Sequence, residues 1–527
     1  MPDPNQDLEP RPKFETESIP EPPWEEEKPS EEVTAPPPDL SLPEEEVSPG
    51  ETAPLTETTP PIEEPVPLTE TPPGESLPSE SAEPATAFHA EGKSPLGAMK
   101  KILPIFLILI LVVGLVFLAI KFGLPRFQKE KEITLTYWGL WEPESVMNQV
   151  IADWQKEHPQ VKIEYSLQSK QQYRERVQSA LARGEGPDIF RYHVTWLPML
   201  KNQLDSLPSE IMSASQFETT FYPVAATQLR SGTSYLGLPL EMDTLALFYN
   251  KEIFQTAGKT PPATWDELRR TAIELTTVDE AGKIQTAGVA LGTTNNVEHW
   301  SDILGLMMLQ NEADLANPTG SLAEDALTYY TIFNTTDQVW DLTLPNSIMA
   351  FASGQVAMAF GFSWDVFEIK NLNPDLEFGV VKAPQLSGTN VAWASFWVEG
   401  VNNKSEYKKE AWEFLQYLAS QETLTKLYQA ESQLRLFGEP YSRVEMAEQV
   451  KSNPLTAAFV DQAPQAQTWY LCSRTDDNGI NDKMINYFKD AVNAINANQT
   501  PTEALETAAS GVSQLLSQYG LGTAVAY

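Results

Sequence analysis

A chain of 527 residues with 73 acidic side chains against 36 Lys and Arg carries a formal net charge of −37. That balance argues against nucleic acid or an anionic lipid surface as partner, because both need basic patches. The one cysteine, Cys472, excludes an intrachain disulfide and a cysteine-built zinc site.

Residues 1–99 hold 23 of the 42 prolines and 24 acidic residues, against Arg11, Lys13, Lys28 and Lys93. Few aromatics occur there, so too little apolar surface is available to offset the entropy of ordering. This segment is expected to be a disordered, acidic, Pro-rich tail. Its repeat, Pro54-Leu55-Thr56-Glu57-Thr58 returning as Pro67-Leu68-Thr69-Glu70-Thr71, suits a solvating spacer or a docking tail for a basic partner. Next comes Ile102–Ile120, nineteen apolar or small residues between Lys100-Lys101 and Lys121, Arg126 and Lys129. At about 1.5 Å per residue the run spans roughly 28 Å, the thickness of a bilayer's hydrocarbon core. A transmembrane helix is expected over 102–122. Its depth in the chain, with no small-residue cleavage site after it, favours a permanent anchor over a signal peptide. The flanking positive charges are nearly balanced and assign no orientation.

Residues 133–527 carry twelve of the 13 tryptophans, enough for a large core, and their length suggests two lobes. Ile133-Thr134-Leu135-Thr136-Tyr137-Trp138 alternates at strand period. Val146, Val150, Ile151 and Trp154 then share a helical face, Pro159 ends it, and 161–165 reads as a second strand. A helix over 173–181 leads to Gly184-Glu185-Gly186-Pro187-Asp188-Ile189-Phe190. This alternation predicts an α/β lobe with a mainly parallel sheet, whose ligands bind beyond the carboxyl ends of the strands. That places 138–142 and 191–196 on one rim. Farther on, strands are expected at 245–249 and 356–360, and helices at 408–419, 485–495 and 502–518. Another helix opens at Thr264 with a Thr-x-x-Glu capping box.

Several stretches together resemble the extracellular solute-binding proteins of ABC importers, of the maltose-binding-protein-like carbohydrate type. They are the opening strand ending in Trp138; the Gly-x-Gly-Pro-Asp-Ile turn at 184–189; and Leu238-Pro239 through Asp243-Thr244, followed by Leu247-Phe248-Tyr249-Asn250-Lys251. Downstream stand Gly354-Gln355-Val356-Ala357-Met358 with Gly361-Phe362-Ser363-Trp364, the Lys408–Leu415 helix and the helix start at 502–505. The resemblance covers nearly all of 133–520 and leaves out the tail and the apolar run. It implies a two-lobe periplasmic-binding-protein-like fold with three crossovers, near Pro239–Asp243, Gly388–Trp393 and Glu439–Tyr441. Lobe 1 would take about 133–240 and 393–440, and lobe 2 about 243–388 and 441–527. A receptor of this type works outside the cell, so the implied topology is a single-pass membrane protein with the tail cytoplasmic and the two-lobe domain extracellular. ABC permease subunits and a small solute are the implied partners.

A sugar presents hydroxyls at its edge and C–H faces above and below, so its site needs aromatic platforms and in-plane polar side chains. The rims supply Trp138, Trp141 and Glu142 after the first strand, and Tyr192, Thr195 and Trp196 past the Gly-Pro-Asp turn. The resemblance adds Asp243 as an acidic crossover position, with Glu241 beside it, and Trp364 as a platform on the second lobe. Trp300, Trp393, Trp397, Trp469 and Arg474 are further candidates without motif support. Asp188 is expected to hold its turn, and Asn250-Lys251 to cap or pair locally. No metalloprotease, nucleophile-elbow or phosphate-loop motif occurs, so no catalytic residue, metal or cofactor is assigned. The leading expectation is a tethered receptor that captures a carbohydrate by lobe closure. The alternatives are a sensor or adhesin signalling through the span, and a surface glycosidase using the Glu241–Asp243 carboxylates.

Overall fold

The structure, a computed structural model, describes residues 109–114 and 132–522. The expected tail and most of the apolar run lie outside these residues. Positions 109–114 are helical with exposed side chains, and among the described residues no helix is long and apolar enough to cross a membrane.

The first strands form because their apolar residues alternate: Leu135 and Tyr137 are fully buried, while neighbours face outward or sit half-buried. Ile133–Gly139 pairs in parallel with Val161–Leu167 on one side and Ile189–His193 on the other. Trp397–Val401 and Leu238–Pro239 complete this five-stranded sheet, both joined antiparallel. Glu144–Glu157 and Lys408–Leu418 pack over it, bringing Trp154 against Phe414. Asp188 does more than shape its turn. It accepts from the Thr136 N–H and hydroxyl at 2.9 Å each and from Ser405 at 2.6 Å, tying three segments together. Gly184, with φ 76°, caps the Tyr173–Arg183 helix in the left-handed region, where a side chain would be strained.

A second five-stranded sheet runs Phe378–Lys382, Ala246–Asn250, Val356–Gly361, Ile284–Val289, Thr277–Val278. Here Ala246–Asn250 is antiparallel to both neighbours, so this sheet is mixed; the first sheet, expected to be mainly parallel, is mixed as well, with two parallel and two antiparallel pairings. Strands that leave a crossover directly run away from it, whereas strands reached through a helix run back toward it. Ala246–Asn250 and Trp397–Val401 are both of the first kind. The Thr264 capping box is present, with Glu267 reaching back to the Thr264 N–H, and Asn250 caps the following helix. Trp265–Leu275 lies so close on Ile284–Val289 that a Cβ at Gly288 would collide with the Ala272 carbonyl oxygen. Gly288→Ala is therefore expected to cost about 1–3 kcal/mol by urea denaturation, as overpacking does.

Two hydrophobic cores underlie the two sheets. Between them a small three-stranded sheet orders Ala466–Gln467, Ala392–Ser395 and Asp243–Thr244. The chain passes between cores at 240–245 and 392–396. Beyond Tyr441 it does not leave the first lobe directly, as the expected boundary at 441 had it: Met446, Val450, Ala463 and Ala466 still pack in the first core. Phe459 and then Trp469 onward join the second. Met446 and Val450, on the short helices at 444–451, are buried in the first core while Val444 stays exposed, which a boundary drawn from a motif could not register.

Candidate functional site

A cavity of about 450 Å³ lies where these passages meet, lined from both lobes. The first lobe contributes Trp141, Lys170, His193, Glu241, Trp397, Arg435 and Glu439; the second contributes Asp243, Trp364, Glu368 and Ser473–Thr475. Ser395, which ends a strand of the small linking sheet, Phe396 just after it and Pro440 complete the wall. Parallel strands end here: Trp141 follows Ile133–Gly139, His193 closes its own strand, and Trp364 follows Val356–Gly361. That is the carboxyl-end placement expected of α/β sheets.

The aromatic walls are braced. Trp364 stacks on Phe362 at 4.4 Å between centroids, and Trp141 meets the edge of Trp397 at 5.4 Å. Trp196 supports Trp397 from behind at 5.1 Å. His193 is held between Thr195 at 2.8 Å and Ser395 at 3.0 Å, and burial lowers its pKa to about 3, so it is a neutral imidazole.

Below the first-lobe wall, Arg191 is 1% exposed and grips Glu142 at 2.9 Å and Glu399 at 2.5 Å. Burial pushes Glu399 up to about 7, against the pull of Arg191. Arg435 is paired with Glu439 at 2.7 Å and Glu431 at 2.9 Å; burial and the Glu439 charge raise Glu431 to about 7. On the second lobe Arg474 is shared by Glu298, Glu368 and Asp365 at 3.1–3.4 Å. His299 bridges Ser473 and Asp365 at 2.8 Å each. Asp365 and Asp302 overcome burial and raise its pKa to about 10, so it is charged at neutral pH.

Of the residues singled out from the sequence, Trp141, Glu241, Asp243 and Trp364 line the cavity, joined by Trp397 and Arg474. The others do not. Glu142 is buried in the Arg191 ion cluster. Tyr192 points into the first core, its hydroxyl donating to the Leu236 carbonyl. Thr195 and Trp196 stand behind the wall, against His193 and Trp397. Trp138 packs half-buried against the first core. Trp300, Trp393 and Trp469 belong to the second core, where Trp393 donates to Asp302 at 2.8 Å. Lys170, Glu368, Arg435 and Ser473 were not anticipated, since none carries a motif; His193 and Glu439 lie in the expected 191–196 rim and 439–441 crossover but were not singled out as contacts. Among the described residues no group of three or more His, Cys, Asp or Glu side chains is placed to hold a metal ion.

Two cross-lobe links accompany the cavity: Lys170 to Asp476 at 3.0 Å, and Arg174 donating to the Asp477 carbonyl at 2.7 Å. A two-lobe frame with a cavity at its crossings can hold a small molecule between two walls, and closure of the lobes would exclude water from it.

The sequence profile of the bacterial extracellular solute-binding protein family matches residues 139–424, more than half of the chain. A binding protein of Brucella abortus (strain 2308) is 23% identical over 286 residues, 52% of this chain and 68% of its own. An ABC transporter solute-binding protein of Thermotoga lettingae, solved with α-D-tagatose, aligns with TM-score 0.57 at 22% identity, covering 73% of this chain and 100% of that one. A cyclo/maltodextrin-binding protein solved with maltotetraose gives TM-score 0.60 at 19% identity, covering 73% and 97%. These likenesses establish the two-lobe periplasmic-binding-protein-like fold.

Proposed function

Since the chain belongs to the bacterial extracellular solute-binding protein family, we propose that it captures a short saccharide in its interlobe cavity and delivers it to an ABC importer. The observation that carries this reading is the cavity itself, walled by Trp141, Trp364 and Trp397 and floored by Glu241 and Asp243. Flat rings suit the C–H faces of a sugar and carboxylates suit its hydroxyls. A volume of about 450 Å³ lies low in the range of small-molecule sites, which favours a short saccharide over a long chain. Tagatose and maltotetraose, bound by the two structural neighbours, support the same class.

In this reading the apolar run 102–120 tethers the receptor beside its permease, with the acidic tail cytoplasmic and the two-lobe domain outside. A thermal-unfolding screen of the full chain against mono- and oligosaccharides, polyols and amino acids tests it. A ligand at ~100 times its Kd stabilises by about 2.7 kcal/mol. The expected result is a midpoint shift with one saccharide class that Trp364→Ala abolishes. A shift with amino acids alone, or one that survives Trp364→Ala, would overturn the saccharide assignment at this cavity.

A further inference from the structure

Around the cavity the cations are already committed. Arg435 is held by Glu431 and Glu439, Arg474 by Glu298, Glu368 and Asp365, and Lys170 by Asp476. Arg191, beneath the floor, is held by Glu142 and Glu399. Two lining carboxylates are left short of positive charge: Glu241 shares the single Arg191 guanidinium with Glu142 and Glu399 and stands farthest from it, and among the described residues Asp243 pairs with no cation. Glu241 is 7% exposed, its Oε1 stands 3.8 Å from Arg191, beyond hydrogen-bond reach, and among the described residues that oxygen meets no donor. Asp243, 5% exposed, is held by neutral donors: the Ser363 N–H at 2.8 Å, the Ser363 hydroxyl at 2.6 Å and the Thr244 N–H at 2.8 Å. The two stand two residues apart on the first crossover, facing a cavity walled by three tryptophans.

From this arrangement, and resting on the solute-binding reading above, we infer that the solute carries a protonated amine, and that Glu241 and Asp243 receive it: the ligand is an amino sugar or a short amino-oligosaccharide. A neutral sugar leaves these buried carboxyls either protonated or ionised without a full counter-charge, and the second state is costly. An ammonium supplies that charge, can donate to Glu241 and to the acceptor site that Asp243 Oδ1 has left, and is attracted to indole faces. The same excess of negative charge disfavours a phosphorylated or otherwise anionic solute. Burial raises Glu241 well above the ordinary carboxylate range, helped by Glu439 and Glu142, and raises Asp243 to about 7. Both groups thus hold protons more firmly than usual, and a bound ammonium takes the place of that proton.

The test is calorimetric titration of the full chain with matched pairs that exchange an amine for a hydroxyl at one ring position. Glucosamine, galactosamine and chitosan oligomers are compared with glucose, galactose and cello-oligomers. Tighter binding of the amines by roughly tenfold or more is expected, with Glu241→Gln removing most of that preference and Trp364→Ala weakening both members of a pair. Equal or tighter binding of a neutral saccharide, or an amine preference untouched by Glu241→Gln, overturns the inference while leaving the saccharide receptor standing. If no saccharide of either kind binds, the receptor reading itself falls and the inference falls with it.

Discussion

Arg191→Leu is expected to lower the unfolding free energy by about 3–5 kcal/mol, the cost of leaving buried charge without its partner. The guanidinium holds Glu142 and Glu399 directly and lies 3.8 Å from Glu241, all at positions almost closed to water. Three carboxylates would then share the first lobe's interior with no cation among them. Urea denaturation of the full chain measures the loss. Adding Glu399→Gln to the variant should restore part of it, because one buried charge is removed with the cation. An Arg191→Leu chain as stable as the parent would mean that the guanidinium adds nothing net to the fold. By contrast, Lys409→Ala, which breaks a solvent-exposed pair with Glu413, should leave the midpoint near that of the parent.

The second large effect is a stability that declines as pH rises. Glu399, Asp243 and Glu431 are each raised to about 7, in every case chiefly by burial. Between the ordinary carboxylate range and pH 7 the folded chain therefore binds more protons than the unfolded one, and stability falls with pH across that window. At one pKa unit per about 1.36 kcal/mol, each glutamate contributes roughly 3 kcal/mol at most and Asp243 roughly 4. His299 acts in the same direction at higher pH. Its contribution is complete below about 6.5 and is lost as pH rises toward 10. Buried His193, lowered to about 3, works oppositely below about 6.5 but is one group against three, and exposed carboxylates such as Asp153, lowered by Lys156, also work oppositely but are screened by water. Thermal midpoints at pH 5, 7 and 9 should descend in that order. A midpoint that climbs from pH 5 to pH 7 would show these carboxylates ionised within the fold.

Features that depend on neighbouring residues could be read from the chain alone. Strand alternation at 133–138, the Thr264 capping box and the helix starting near 501 follow from periodicity and side-chain-to-backbone hydrogen bonding. The order of motifs carried the family resemblance, and with it the first crossover and its two carboxylates. The tertiary structure alone decided which rim side chains face the cavity. Trp138 and Trp141 lie three residues apart and both pack on the first core, yet only Trp141, in the loop past the strand end, also lines the cavity. Tyr192 and Trp196 look equally suitable in sequence, but the antiparallel arrival of Trp397–Val401 beside Ile189–His193 covers them and puts Trp397 at the surface of the wall. His193 comes together with Arg435 and Ser473 from more than two hundred residues away in the chain. Composition settled the chain's acidity; the pairing of individual charges, and hence which carboxylates remain for a ligand, exists only once distant segments are packed, because Coulomb energy depends on separation in space rather than along the chain.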